Sequence, residues 1–177
     1  EKVVNAVYIT LKEHESMKDI TSSIYNFEKL RQEGYLYIDK TEYIWNLIEP
    51  VGESYFLSRP RRFGKSLTVS TLKAVFEGKK ELFKGLAIYD KPYDWKPFPV
   101  IHLDMANCDI KTADELVGYL NGQLENIADL FHLKVRGEQL TGRFENLIND
   151  IAANGNVVIL VDEYDKPILN NIARQGV

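Results

Sequence analysis

The chain has 177 residues, a formal net charge of -4 and an isoelectric point near 5.5. This length suits one domain with its own hydrophobic core, and the acidic balance excludes a protein whose whole surface attracts nucleic acid or anionic membranes. The sequence has no apolar run of about 20 residues and no basic-then-apolar N-terminus, which predicts a cytoplasmic protein without a membrane partner.

The residue types that most often bind metals are few and scattered. Cys108 is the single cysteine, so an internal disulfide is excluded, and we expect a small buried side chain there rather than a nucleophile. His14, His102 and His132 lie far apart and lack partners three or four positions away. We therefore predict no metal site made from these side chains alone.

Two regions are predicted along the chain, an N-terminal arm over residues 1–25 and a domain over residues 26–177. The arm holds a short apolar run, Val3 to Leu11, which predicts an appended strand or an extension. At the start of the domain, FEKLRQEG predicts a short helix that ends at Gly34.

The next elements frame a loop. DKTEYIWNLIEP predicts a helix that is opened by a capping box of Asp39 and Glu42. Residues Glu53 to Leu57 predict a short strand, which leads through SRPRRFGKSL into another helix that ends at Gly78. The apolar face of that helix is formed by Leu67, Leu72, Val75 and Phe76.

The second half of the chain alternates strands and helices. PVIHLDM predicts a strand, and a capping box of Thr112 and Glu115 opens the helix that follows. A further helix ends near Gly155, and VVILV then predicts a central strand of a parallel sheet covered on both faces. The alternation predicts an α/β fold, with helices flanking a parallel sheet and a ligand crevice at the carboxyl ends of the strands.

The loop SRPRRFGKSL ends as a phosphate-binding loop does, because Gly64, Lys65 and Ser66 match the last positions of G-x-x-x-x-G-K-[ST]. In such a loop, backbone N–H groups at a helix N-terminus surround a phosphate, and glycine permits its close approach. Lys65 is then expected to reach the β- and γ-phosphates, and the Ser66 hydroxyl to bind Mg²⁺. The first glycine of the pattern is replaced by Arg59, which precedes Pro60.

Two carboxylates, Asp162 and Glu163, directly follow the strand VVILV. A carboxylate at the end of a buried strand is held rigidly, so we predict that Asp162 binds the far side of the Mg²⁺ ion. Glu163 is predicted to position and polarise the water that attacks the γ-phosphate. Each motif alone has an ordinary interpretation, a basic turn or a helix cap, but the two together in this strand context indicate nucleotide binding.

Four cations fall within seven residues of the loop, three of them arginines. This density suits a triphosphate, although it equally suits a nucleic-acid backbone, and any one arginine also has a solvent-exposed interpretation. The residues predicted to contact the nucleotide are Arg59, Arg61, Arg62, Phe63, Gly64, Lys65, Ser66 and Leu67.

Five segments taken in order resemble the AAA-ATPase-like family of prokaryotic P-loop proteins. They are FEKLRQEGYLYIDKTEYIWNLIE, FLSRPRRFGKSLTVSTLKAVFEG, LFKGLAIYDK, PVIHLDM and VVILVDEYDKPI, and they cover roughly residues 26 to 174. The most specific motifs are RPRRFGKS and DEYDKP, and the arginine-proline entrance is the usual form of the loop in that family. The resemblance implies an AAA-like, ASCE-type P-loop NTPase fold that uses ATP and Mg²⁺, with Walker A ending at Ser66 and Walker B at Asp162 and Glu163.

Members of that family commonly carry a PD-(D/E)XK nuclease-like domain after the ATPase, outside the span of this chain. The resemblance also implies a sheet of order 5-1-4-3-2, of which the chain is expected to end one helix after strand 3, before strand 4, the arginine finger and the lid. We therefore expect the isolated chain to bind nucleotide weakly and to hydrolyse it negligibly. The slot between strands 1 and 3 is expected to be unfilled, or closed by the N-terminal arm or another subunit.

Together these features predict an ATP-binding domain that hydrolyses ATP with Mg²⁺ in the full-length protein and gates a C-terminal effector, nuclease-like or other. Nucleic acid is then a partner through that effector, and a homo-oligomer is a further expectation. Two alternatives stay open: a basic-loop module that binds nucleic acid directly, and a nucleotide-binding domain without hydrolysis.

Overall fold

The computed structural model describes residues 19–21, 23–49, 54–58, 60 and 63–169. The helices are α1 (Phe27–Gln32), α2 (Thr41–Ile48), α3 (Lys65–Phe76), α4 (Ala113–Leu130) and α5 (Leu140–Ile151), and the strands are β1 (Val100–Asp104) and β2 (Val158–Asp162). Short 3₁₀ helices occupy Lys80–Phe83, Ala87–Asp90 and Ala152–Asn154, and residues 166–169 form a helical turn. The predicted strand or extension Val3 to Leu11 lies outside the described residues.

Strands β1 and β2 are parallel and in register, from Val100 beside Val158 to Asp104 beside Asp162. Both strands were predicted from short apolar runs, and β2 begins one residue later than the run VVILV. The mixed α/β character and the parallel sheet are therefore confirmed for the described part of the chain.

The two faces of the β1–β2 sheet pack against different helices. Ile101 and Leu103 are buried and face the second hydrophobic core, which α4 and α5 complete. The other buried members of that core are Leu124, Ile127, Ala128, Leu147 and Ile151. Because successive side chains of a strand alternate, His102 points to the opposite face, and α3 packs against β2.

The prediction that β2 is covered on both faces is wrong for the described residues. Ile159 and Val161 keep 42% and 43% of their surface exposed, although their register partners on β1 are buried. The reason is that α4 packs on β1, the strand that carries the buried partners, and the described sheet contains no strand beyond β2.

The strand predicted at Glu53 to Leu57 is also wrong for its described part. Residues 54–57 are not part of a strand, and the side chains of Tyr55 and Phe56 are 50% and 71% exposed. A strand requires a hydrogen-bonded neighbour, and the described sheet consists of β1 and β2 in that order. The apolar sequence of these residues alone does not place a described strand beside them.

The first hydrophobic core lies where α1, α2 and α3 meet the 3₁₀ helices. Its buried side chains are Phe27, Ile44, Ala74, Val75, Phe83, Leu86, Ile88 and Trp95. The predicted helix ends are confirmed, since Gly34 follows α1 with φ 76° and Gly78 follows α3 with φ 71°. A Cβ atom at Gly78 would lie 2.7 Å from the Trp95 carbonyl oxygen, so this position requires glycine for space as well as for conformation.

The capping box predicted at α2 from Asp39 and Glu42 is wrong, because the two residues have other partners. Asp39 Oδ1 accepts hydrogen bonds from the N–H and the hydroxyl of Thr41, and Asp39 Oδ2 accepts from the Ala87 N–H at 2.7 Å. Glu42 instead pairs with Lys91 at 2.7 Å, since Lys91 lies within reach on the segment packed against α2. Burial raises the pKa of Asp39, but the hydrogen bonds from Thr41 and Ala87 outweigh it, and the pKa falls below its ordinary value.

At α4 the predicted cap is confirmed. Thr112 Oγ1 accepts the Glu115 N–H at 3.2 Å, as the first half of a capping box requires. The Glu115 carboxylate accepts from the Lys111 N–H, one residue earlier than the usual return bond. The two bonds fix where the chain enters this 18-residue helix.

Candidate functional site

Both strands end in an aspartate at the same edge of the sheet. Asp104 and Asp162 are register partners, so their side chains point to the same face, the one that also carries His102. Lys73 of α3 lies close enough to lower the pKa of His102, after the larger lowering by burial. The two carboxylates therefore lie on the face of the sheet that α3 covers.

The direction of α3 can be read from its contacts. The carbonyl of Phe76, its last residue, accepts the N–H of Phe98, which lies just before β1 begins. A helix of 12 residues is about 18 Å long and a strand of five residues about 16 Å, so α3 spans the whole strand. Because the end of α3 lies at the amino edge of the sheet, its first turn is directed towards the carboxyl edge.

The first turn of α3 begins at Lys65, immediately after Gly64 in the left-handed conformation at φ 73°. Gly64 has no side chain with which to cap the helix, and no described side chain caps it. The first N–H groups of a helix have no partners within the helix, so this turn can bind an anion. Lys65 and Ser66 are both partly buried here.

A contact between rings brings the segment before the loop to the end of β2. The ring of Phe56 lies 5.4 Å from the ring of Tyr164 in an edge-to-face arrangement. Phe56 precedes the loop that leads to Gly64, and Tyr164 directly follows Glu163. This contact and the direction of α3 independently indicate that the segment before the loop and the first turn of α3 both lie towards the end of β2.

Asp162 is 8% exposed at the end of β2. Its Oδ1 accepts the N–H of Glu163 at 2.9 Å, and its backbone carbonyl accepts the N–H of Met105 at 3.0 Å. The Met105 bond extends the β1–β2 ladder by one step beyond the strands. The carboxylate is therefore rigidly placed, as its predicted role in binding an ion requires.

Glu163 has a left-handed backbone, with φ 53°, which is uncommon for a residue with a side chain. Its N–H is bonded to Asp162 and its carbonyl accepts the N–H of Lys166 at 3.0 Å, so it forms the link from β2 to the helical turn. Strain of this kind costs of order 1–3 kcal/mol and is concentrated at functional sites. The strained position coincides with the residue predicted to position the attacking water.

The oxygen donors at this edge fit a hard divalent cation. Magnesium prefers oxygen ligands and is usually held by one or two carboxylates together with substrate phosphates. Ser66 and Asp162 supply a hydroxyl and a carboxylate of this kind. Among the described residues no group of three or more histidine, cysteine, aspartate and glutamate side chains could hold a metal ion. A magnesium ion held here by one or two protein oxygens would complete its coordination with phosphate oxygens and water.

The other predicted contact residues fall into two groups. Phe63 is 64% exposed beside the loop, whereas Leu67 packs against the first hydrophobic core. Arg59, Arg61 and Arg62 lie outside the described residues. Leu67 can therefore contribute its backbone N–H to a ligand, while its side chain anchors α3.

Asp104 was missed by the motif-based prediction. The segment PVIHLDM ends its strand with an aspartate, as VVILVD does, and parallel strands end at the same edge. That repeated pattern was the available signal. Recognising it required knowledge that the two strands are neighbours.

Two further titratable groups lie near the sheet. Cys108 is fully buried, and burial raises the pKa of its thiol, which agrees with the expectation of a buried side chain rather than a nucleophile. His102 Nε2 has no hydrogen-bond partner among the described residues. Since burial lowers the pKa of His102, the neutral imidazole is favoured on this face.

A cleft of about 460 Å³ lies at the other end of the strands. Its lining includes Phe98, Pro99, Phe131 and Asn156, which flank the starts of β1 and β2. In open α/β sheets, ligands bind at the carboxyl ends of the strands, and the cleft contains none of the predicted site residues. We therefore assign the candidate site to the carboxyl edge and not to this cleft.

Within the described ranges, no helix is both long enough and apolar enough to cross a membrane.

Comparison with known proteins gives a family match and one relative. A family model described as predicted AAA-ATPase matches residues 21–177. The relative, an "uncharacterized protein in vnfD 5'region" from Azotobacter chroococcum mcd 1, is 40% identical over 163 residues, which cover 90% of this chain. The chain spans 31% of that relative's length. No solved structure matches.

Proposed function

The chain belongs to the predicted AAA-ATPase family, and from this premise we propose that it is an ATP-binding domain that takes ATP together with Mg²⁺ at the carboxyl edge of its sheet. One observation carries the proposal: α3 begins at Lys65, directly after a left-handed glycine, and this first turn lies towards the edge where Asp162 ends β2. A helix N-terminus, a lysine and a buried carboxylate are the parts that a nucleoside triphosphate with its cation requires.

The phosphates would be bound by the first turn of α3. The first N–H groups of a helix have no partner within the helix, and with the positive end of the helix dipole they favour an anion. Lys65 adds a full positive charge towards the β- and γ-phosphates. Arg59, Arg61 and Arg62 add to this positive field because they lie within six residues of Lys65 in sequence. Affinity for the triphosphate is therefore expected to depend most strongly on Lys65.

Ser66 and Asp162 would hold the magnesium ion between α3 and β2. When bound, Mg²⁺ would neutralise negative charge on the phosphate oxygens. Among the described residues, the Asp162 carboxylate accepts one bond, from the Glu163 N–H to Oδ1, and this leaves it capacity to bind an ion because a carboxylate has about four lone-pair directions. Asp162→Asn is therefore expected to weaken the Mg²⁺ dependence of ATP binding.

For hydrolysis we assign the positioning of water to Glu163. Water attacks the γ-phosphorus, the bond from this phosphorus to the bridging oxygen breaks, and ADP and phosphate are released. The Glu163 carboxylate accepts a hydrogen bond from the attacking water and helps to remove its proton. Its left-handed backbone sets the direction of the side chain at the end of β2.

We further propose that ATP turnover gates an effector elsewhere in the full-length protein. About two thirds of the relative's length lies outside the region that this chain matches, which leaves room for such an effector there. The resemblance to a family whose members commonly carry a nuclease-like domain supports nucleic acid as the target of the effector. The test is whether mutation of Lys65 changes the activity of the full-length protein on nucleic acid.

The rival function is direct binding of nucleic acid by the basic loop. Thermal denaturation of the full-length protein distinguishes the two, because a ligand that binds the folded state raises the midpoint. We expect a rise with ATP and MgCl₂, and none with MgCl₂ alone. A rise with a single-stranded oligonucleotide, together with no response to ATP and MgCl₂, would contradict the proposed function.

A further inference from the structure

We propose that Asp104 is a second carboxylate of the magnesium site, where it orients water bound to the ion. This inference rests on the proposed function and assigns an acidic residue of β1 to a site so far built from α3 and β2. It follows from the pairing of Asp104 with Asp162, from the face on which both lie, and from the bonds that hold the end of β1.

The two carboxylates are neighbours across one strand spacing. Asp104 and Asp162 are paired in register, and adjacent strands lie about 4.8 Å apart. Both side chains point to the face covered by α3, whose first turn is directed towards the same edge. A cation held by Ser66 and Asp162 would therefore lie on the side of the sheet that Asp104 also faces.

The pair carries an electrostatic cost that a cation would relieve. Two negative side chains at paired positions of neighbouring strands repel each other, and Asp162 is largely removed from water. The ion pairs among described residues involve neither carboxylate. Magnesium retains several water ligands and is bound through one or two carboxylates, so it suits this arrangement.

The end of β1 is fixed by side chains of α4. The Tyr119 hydroxyl donates to the backbone carbonyl of Asp104 at 2.8 Å, and Gln123 Nε2 donates to the same carbonyl at 3.4 Å and to the Tyr119 oxygen at 3.1 Å. The next residue, Met105, donates its N–H to the carbonyl of Asp162. These bonds hold the two aspartate backbones at a fixed separation, as a site that orients water around an ion requires.

The alternative is that Asp104 only caps a turn. Its Oδ1 accepts the Ala106 N–H at 2.7 Å, which resembles the bond from the Lys96 N–H to Asp94 Oδ1 at 3.0 Å in another part of the chain. An asparagine retains this acceptor oxygen and removes only the charge. Asp104→Asn therefore separates the two roles, and Asp94→Asn is its matched control.

The experiment measures the thermal midpoint of the full-length protein with AMP-PNP, a non-hydrolysable ATP analogue, over a series of Mg²⁺ concentrations. For Asp104→Asn we expect the Mg²⁺ concentration at half-maximal stabilisation to rise about tenfold, the lower end of the range for loss of an outer ligand partner. For Asp94→Asn we expect the wild-type value. In EDTA, AMP-PNP should bind Asp104→Asn at least as tightly as wild type, because one negative charge near the phosphates has been removed.

Two results would overturn this inference without contradicting the proposed function. One is a wild-type Mg²⁺ requirement in Asp104→Asn, and the other is an equal loss of affinity with and without Mg²⁺, which marks a purely structural role. If the wild-type protein shows no stabilisation by AMP-PNP at any Mg²⁺ concentration, the proposed function fails and the inference fails with it.

Discussion

The two faces of strand β1 differ in what their side chains do. On one face Ile101 and Leu103 are buried against α4 and α5 in the second hydrophobic core. On the other face His102 and Asp104 lie towards α3, beside Asp162. One five-residue strand therefore supplies the core with alternate residues and the candidate site with the others.

The two faces of β1 therefore have different roles. The apolar face contributes to the stability of the fold, and the polar face belongs to the candidate site. Burial of an isoleucine side chain contributes roughly 1.5–3 kcal/mol to folding, whereas two like charges at paired positions of neighbouring strands do not stabilise the fold. We therefore expect substitutions on the apolar face to change the free energy of unfolding. Substitutions at the polar edge should change ligand binding or turnover instead.

The largest effect is expected at the polar edge. Glu163→Gln removes the group assigned to the attacking water, and loss of a general base lowers turnover by about 10²–10⁴-fold. Binding of ATP should remain, since glutamine has a similar size. Phosphate release and equilibrium binding by the full-length protein are the measurements, and Glu145→Gln on the exposed side of α5 is the control. Turnover of Glu163→Gln at the wild-type rate would remove Glu163 from the mechanism.

On the apolar face, Ile101→Ala should lower the free energy of unfolding by about 2–5 kcal/mol, because the side chain is fully buried and its loss leaves a cavity. The affinity of the folded protein for ATP with Mg²⁺ should not change. Urea denaturation and calorimetry measure the two quantities. A large loss of affinity without a loss of stability would show that the two faces are not separate.

A third substitution tests how the end of α3 is held at the amino edge. Gly78→Ala places a Cβ atom 2.7 Å from the Trp95 carbonyl in a left-handed residue, so we expect a loss of about 3 kcal/mol from strain and overlap. Gly34→Ala is the matched control, with a similar φ and open space around the added atom, and should cost about 1 kcal/mol. Equal losses in urea denaturation would show that the contact with Trp95 is unimportant.

The smallest effect is expected at Asp39, a polar residue with a structural role. Its pKa is lowered in the folded protein, so its contribution to stability is present above the unfolded pKa and is lost as the pH falls through the folded pKa. Asp39→Asn should therefore be less stable than wild type at pH 7, and the difference should shrink below about pH 4. Urea denaturation at several pH values measures it. A difference that grows in acid would contradict this assignment.

The sequence alone was sufficient for elements whose signals are local. The helix ends at Gly34 and Gly78, the cap at Thr112 and the two parallel strands all follow from patterns within about ten residues. The motif around Lys65 was found in the same way, because the residues that surround a phosphate are consecutive.

Features that depend on contacts between distant segments were not predicted. Asp39 reaches the Ala87 N–H, 48 positions away, and this bond replaces part of the expected capping box. Residues 54–57 have the apolar sequence of a strand but no described strand beside them. Asp104 acquires its significance only through its pairing with Asp162, which no local pattern encodes.

The central claim is that a nucleoside triphosphate binds at the first turn of α3. Its most direct test is calorimetric titration of the full-length protein with AMP-PNP and Mg²⁺, comparing Lys65→Ala with Lys73→Ala in the last turn of the same helix. Loss of a charged hydrogen-bond donor costs about 1.5–3 kcal/mol, so Lys65→Ala should bind about 10- to 100-fold more weakly. Lys73→Ala should bind as wild type does. Equal affinity in all three proteins would contradict the account.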